Sequence, residues 1–150
     1  MSEVWKPSVT VAAVIERNGA FLLVEEEAHG RIVFNQPAGH WEPGETLAEA
    51  CVRETLEETA YHFQPSELLG VYRWHFPGAD VTFLRFAFCG GVTGHESGRT
   101  LDKEIRRAVW LTPEEIRELR DRHRSPLVLA CVEDYQAGRR YPLDLIRHYE

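Results

Sequence analysis

Three glutamates, Glu54, Glu57 and Glu58, fall at i, i+3 and i+4 of one segment. On an α-helix, at 100° per residue, that spacing puts three carboxylates on one face. Like charges so placed repel by about 0.2–0.5 kcal/mol per pair. In the last turns of a helix the macrodipole disfavours them further. Arg53 is the one cation in the run, and the same angular count points it to the side of the trio. A divalent cation would relieve the conflict, and clustered hard oxygen ligands suit Mg²⁺, with Mn²⁺ as the alternative. A run of charges is by itself more often a solvated helix face, so the wider spacing has to decide.

That wider pattern is Gly39, Glu45, Arg53, Glu54, Glu57 and Glu58, in the arrangement G-x5-E-x7-R-E-x-x-E-E. With background frequencies of about 5–7% per fixed residue, a chance match in a chain of this length is roughly one in 10⁵. Residues 39–61, GHWEPGETLAEACVRETLEETAY, resemble the Nudix box, G-x5-E-x7-R-E-U-x-E-E-x-G-U, with U a bulky apolar residue. Two positions depart. Thr55 stands at a U position, where its methyl can pack. Ala60 stands where the family has glycine just past the helix end, and an alanine held left-handed there costs about 1 kcal/mol.

The resemblance implies a metal-dependent hydrolase that cleaves a diphosphate linked to another moiety, in a single domain spanning residues 1–150. It implies Glu54, Glu57, Glu58 and the carbonyl of Gly39 as metal ligands, and an Arg53–Glu45 pair that fixes loop against helix. Glu57 or Glu58 would orient or deprotonate the attacking water, or an acid outside the box would do so. Glu104, between a glycine-rich stretch and a strand, is the outside candidate. Three further stretches, residues 35–40 (NQPAGH), 124–128 (RSPLV) and 135–143 (YQAGRRYPL), resemble one bacterial phosphatase subgroup of the family. That subgroup implies release of phosphate from nucleoside tri- and diphosphates and from the diphosphates of thiamine and hydroxymethylpyrimidine. The rival readings are a pyrophosphatase releasing a nucleoside monophosphate, and a ligand sensor that has lost catalysis. The intact carboxylates argue against the sensor.

The expected substrate contacts are Arg31, Arg73 and His40, the last beside Gly39. Arg85 is a further cation that could hold phosphate, although a lone arginine ordinarily reads as a surface charge. In Tyr72-Arg73-Trp74-His75-Phe76, alternation puts the three aromatics on one face. Trp74 is therefore expected in the core, with stacking on a substrate ring as the alternative. Other catalytic signatures are missing: no HExxH, G-x-S-x-G, P-loop or G-x-G-x-x-G occurs.

The elements that must position these residues can be read along the chain. Residues 10–16 and 21–26 form strands around Asn18-Gly19, a strong hairpin signal. Residues 31–34 are a third strand and 37–44 a loop. Thr46 and Glu49 form a capping box that opens the acidic helix. Ala48, Val52, Leu56 and the methyls of Thr55 and Thr59 should face its core. Residues 68–76 and 81–89 alternate as strands. Residues 90–99, with four glycines, read as a mobile loop, and 107–111 as the last strand. Thr112-Pro113 and Ser125-Pro126 open two more helices. These elements predict an α/β/α sandwich with a mixed sheet.

Composition fits that frame. The chain has 150 residues, a net charge of −7, 43% hydrophobic and 27% charged residues, enough for one core. The acidity argues against a nucleic-acid partner, since the phosphate backbone demands basic surface. No apolar run is long enough to span a membrane. Three cysteines without CxxC suggest a reducing, cytoplasmic setting. The expected protein is a monomer that acts on a small phosphorylated molecule.

Overall fold

Asn18 and Gly19 adopt φ of 54° and 80°, the left-handed pair that a two-residue turn needs. They reverse β1 (Ser8–Arg17) into β2 (Ala20–Ala28). His29 and Gly30, at 52° and 73°, repeat the device into β3 (Arg31–Asn35). β4 (Ala38–His40) and α1 (Leu47–Thr59) follow, then the long antiparallel pair β5 (Tyr61–Phe76) and β6 (Val81–His95). β7 (Ile105–Leu111), α2 (Pro113–Glu118) and α3 (Leu127–Gln136) complete the chain's main elements. The computed structural model describes residues 3–150.

The sheet runs β3-β2-β1-β6-β5, with β4 added on β1 and β7 on β2. β1 and β6 are parallel and the other pairs antiparallel, so the sheet is mixed. Strand alternation divides the core between its two faces. Val11, Ala13 and Ile15 of β1 pack with Leu47, Ala50 and Cys51 of α1. Val14 packs on the opposite side with Ile116 of α2 and Val128, Cys131 and Val132 of α3. The result is the expected α/β/α sandwich. Among the described residues no helix is long and apolar enough to cross a membrane.

Three local expectations need correction. Residues 90–99 are a loop only from Glu96 on: β6 continues to His95, and Gly90 lies opposite Pro65 of β5. A Cβ on Gly90 would overlap the Gln64 carbonyl, so that glycine serves close backbone approach, not flexibility. Within 37–44, residues Ala38–His40 form a strand, because β1 offers them a free edge at Thr10, Val11 and Ala12. In α1 Thr55 and Thr59 are buried as expected and Ala48 and Val52 pack half-buried on the core, but the buried line also takes in Leu47, Ala50, Cys51, Glu54 and Glu58, and Leu56 is only half-buried. Hence two of the glutamates belong to the inward face. Thr55 and Thr59 bury no unpaired hydroxyl there, since each donates to the carbonyl four residues back, at 2.8 and 2.6 Å.

The capping box at Thr46 and Glu49 is formed as expected. At the other end Ala60 caps α1 with φ of 65°, a conformation that costs an L residue energy. Ala60→Gly should therefore stabilise the protein by about 0.4–1 kcal/mol. Urea denaturation would check this, and a loss of stability would mean that the buried methyl outweighs the backbone strain.

Candidate active site

β4 and α1 meet where the chemistry was expected. Gly39 is forced by that meeting: a Cβ there would overlap the Glu54 carboxylate. Glycine lets the carboxylate lie directly on the backbone.

Arg53 organises the surrounding acids. Its Nε and Nη2 donate to both Glu45 oxygens at 3.0 and 2.7 Å, a bidentate fork. Nη2 also donates to the His40 carbonyl at 3.0 Å. Nη1 donates to Glu54 Oε1 at 2.9 Å and to Glu57 Oε1 at 3.1 Å. Arg53 thus does not point aside from the trio but lies against two of its members. The angular count failed because a long side chain can swing back over its own helix. The hydrogen bond to Arg53 chiefly holds Glu45 below the usual carboxylate range.

Carboxylate oxygens of Glu54, Glu57 and Asp102 lie within 4.8 Å of one another. Hard oxygen donors so grouped fit a divalent cation. Asp102 was not anticipated. The sequence offered two acids in Asp102-Lys103-Glu104 and no spacing to rank them. The Asp102 amide donates to the Glu57 carbonyl at 3.0 Å, which seats this segment on the end of α1. Glu104 lines the adjoining cavity, while its carbonyl accepts from the Glu27 amide at 2.9 Å.

Glu58 stands outside this oxygen cluster. Its Oε1 accepts from the Ala38 amide at 3.0 Å, and it faces the cavity. Burial pushes its carboxyl up to about 9, with Glu26, Glu54 and Asp102 adding to the rise. Burial likewise pushes Glu54 up to about 7, against the lowering pull of Arg53. A carboxyl raised in the folded state stabilises the fold only while protonated. That stability is complete below the unfolded value near 4.5 and is lost as pH rises towards about 9. Glu58→Gln should accordingly raise the Tm of the metal-free protein at pH 8, with the gain shrinking towards pH 5. Thermal melts at the two pH values test this, and a pH-independent effect would refute it.

The cavity has a volume of about 500 Å³, a size suited to a small organic ligand. Gly39, His40, Glu54 and Glu58 line one end, and Trp74, Phe83 and Arg85 line another wall. His40 is also bonded to Ser8 at 3.0 Å. The structure does not bring Arg31 or Arg73 to this cavity. Arg31 is exposed and donates to the Asp121 carbonyl at 3.0 Å. Arg73 is exposed on the face of β5 opposite Trp74. Arg85, by contrast, is no surface charge but 5% exposed. Trp74 is half-buried and stacks on Phe76 and Phe83, with centroids 5.3 and 5.8 Å away. It is therefore part of the cavity wall, not of the interior core.

A mixed-sheet sandwich with this box helix and carboxylate cluster defines a class, and comparison confirms it. The NUDIX domain family model matches residues 5–130, and the chain belongs to that family. As a Nudix hydrolase it acts on pyrophosphate bonds, chemistry for which the family generally uses divalent metal ions. The chain is 42% identical over 142 residues to the phosphatase NudJ of Escherichia coli K12, covering 95% of this chain and 92% of the relative. The NudJ of Shigella flexneri matches at the same identity and coverage. A solved NUDIX hydrolase from Nitrosomonas europaea is 52% identical and superposes with a TM-score of 0.94, over 96% of this chain and 98% of that one.

Proposed function

We propose that this hydrolase releases the terminal phosphate from nucleoside tri- and diphosphates and from related diphosphates such as those of thiamine and hydroxymethylpyrimidine, using Mg²⁺. The observation that carries the reading is the Glu54–Glu57–Asp102 oxygen cluster, whose Glu54 also lines a cavity with an aromatic wall. Likeness to proteins named phosphatase supports terminal cleavage.

Glu54, Glu57 and Asp102 would hold the cation, and the Gly39 carbonyl is a further candidate ligand. When bound, the cation supplies charge neutralisation of the diphosphate, polarisation of the bond to be broken and acidification of a water. Arg53 positions Glu54 and Glu57 through Nη1 while Glu45 holds the other side of its guanidinium. Glu58 faces the cavity from outside the cluster, with one oxygen fixed by Ala38. Burial keeps Glu58 protonated near neutral pH, so it would take the proton from the attacking water as general base once a bound cation had offset that burial. His40 lies at the same end and contacts the phosphate. The enzyme works as a monomer.

A panel of CDP, CTP, thiamine diphosphate and hydroxymethylpyrimidine diphosphate with Mg²⁺ tests this reading. Inorganic phosphate should be the product from each. Pyrophosphate together with CMP from CTP would assign the rival pyrophosphatase activity, and no product from any of them would overturn the proposal.

A further inference from the structure

Arg53 and Arg85 differ in how their donors are used. A guanidinium has five N–H donors. All five of Arg53 are engaged. Arg85 is more deeply buried, yet it spends only three. Nη1 donates to Gln36 Oε1 at 2.9 Å and to Cys131 Sγ at 3.7 Å, and Nη2 donates to Asn35 Oδ1 at 3.0 Å. One donor on Nε and one on Nη2 remain free. No buried side-chain nitrogen among the described residues lacks a partner, so the unpaired Nε reaches the cavity that Arg85 lines.

Its partners are neutral amides and a thiol, and no carboxylate pairs with it among the described residues. Arg124, the other cation lining this cavity, is already bound to Glu26 at 2.9 Å. A buried guanidinium with free donors is costly unless something fills them.

Sheet register shows what could do so. Arg85 lies opposite Tyr72 on one side and Thr10 on the other, and Thr10 in turn lies opposite His40. Two strand spacings therefore separate Arg85 from the carboxylate end, about 10 Å. Phe83, two residues earlier on β6, points to the same face and lies opposite Trp74, and their rings are stacked at 15°. A free guanidinium edge thus adjoins an aromatic platform, one substituent's length from where the diphosphate would be cut.

We infer that Arg85 determines specificity for the group carried by the diphosphate: its free Nε and Nη2 donors take paired acceptor atoms on the edge of an aromatic ring lying against Trp74 and Phe83. The inference rests on the proposed diphosphate hydrolase reading. The rings it favours are those with adjacent acceptors, such as the N3–O2 edge of cytosine. A ring without acceptors gains only the stacking, and an aliphatic diphosphate gains neither.

The test compares CDP, benzyl diphosphate and methyl diphosphate with Mg²⁺, in wild type and in Arg85→Lys, which keeps the charge but loses the fork. The kcat/KM for CDP should fall roughly 5- to 150-fold relative to the other two, mostly through KM. An equal fall on all three with Tm unchanged would make Arg85 a phosphate contact and overturn the inference. So would an equal fall with a lowered Tm, or no fall at all. Trp74→Ala should instead lower CDP and benzyl diphosphate together relative to methyl diphosphate. Binding of CMP, followed by tryptophan quenching with Mg²⁺ present, separates this inference from the hydrolase reading. If wild type cleaves none of the three diphosphates, the hydrolase reading fails, while weaker CMP binding by Arg85→Lys still supports the ring site. Equal CMP affinity in the two proteins overturns it.

Discussion

Turnover is expected to vanish in EDTA and to return with Mg²⁺ or Mn²⁺. The expectation follows from three carboxylates whose oxygens lie within 4.8 Å of one another, with Glu54 among them lining the cavity. Glu54→Gln, Glu57→Gln and Asp102→Asn each remove one charged oxygen ligand. Each should lower kcat by about 10²-fold or more, since losing a ligand removes several kcal/mol of transition-state stabilisation. They should also weaken Mn²⁺ binding, measured directly by calorimetry. Glu58→Gln should lower kcat comparably while leaving Mn²⁺ affinity close to wild type, because Glu58 stands outside the cluster. Full activity in chelator would sink the metal reading. A near-normal kcat in Asp102→Asn would remove that residue from the site. None of these changes should unfold the metal-free protein, since each removes a carboxylate that has other acids close by.

Much of this arrangement was legible in the sequence because it depends on local spacing. The capping box, the Asn18-Gly19 turn and the Arg53–Glu45 pair each join residues within one segment, and all three form. What escaped depends on contacts between segments. Asp102 reaches the box only because the chain after β6 folds back onto the end of α1. Arg85 reads as one arginine among several until Asn35 and Gln36, some fifty residues away, are seen beside it. The glycines of residues 90–99 suggested looseness, yet Gly90 is dictated by the Gln64 carbonyl across the ladder. The inward face of α1 is only partly legible for a related reason. Apolar spacing marks Ala48 and Val52, which pack on the core, but not Glu54 and Glu58, which are buried against Gly39 and the Ala38 amide. Places where side-chain chemistry and local rules disagree are where functional sites are expected.

Gly39→Ala offers a sharper test of how the box is built, because the substitution replaces no proposed ligand side chain. A Cβ at this position would occupy the space of the Glu54 carboxylate. Either Glu54 must turn away or β4 must shift from α1. Displacing a catalytic group by about 1 Å can cost roughly 10²-fold in rate, so kcat should fall by that order. The Gly39 carbonyl itself survives the change, and so do the backbone pairs of β4 with β1. Tm should therefore move far less than activity. The decisive measurement is a double-mutant cycle with Glu54→Ala. Once the obstructing carboxylate is gone, the three atoms nearest the added methyl go with it, and the second substitution should cost less than about threefold in kcat. Independent, multiplying losses would show that Gly39 acts through its own backbone and not by making room for Glu54.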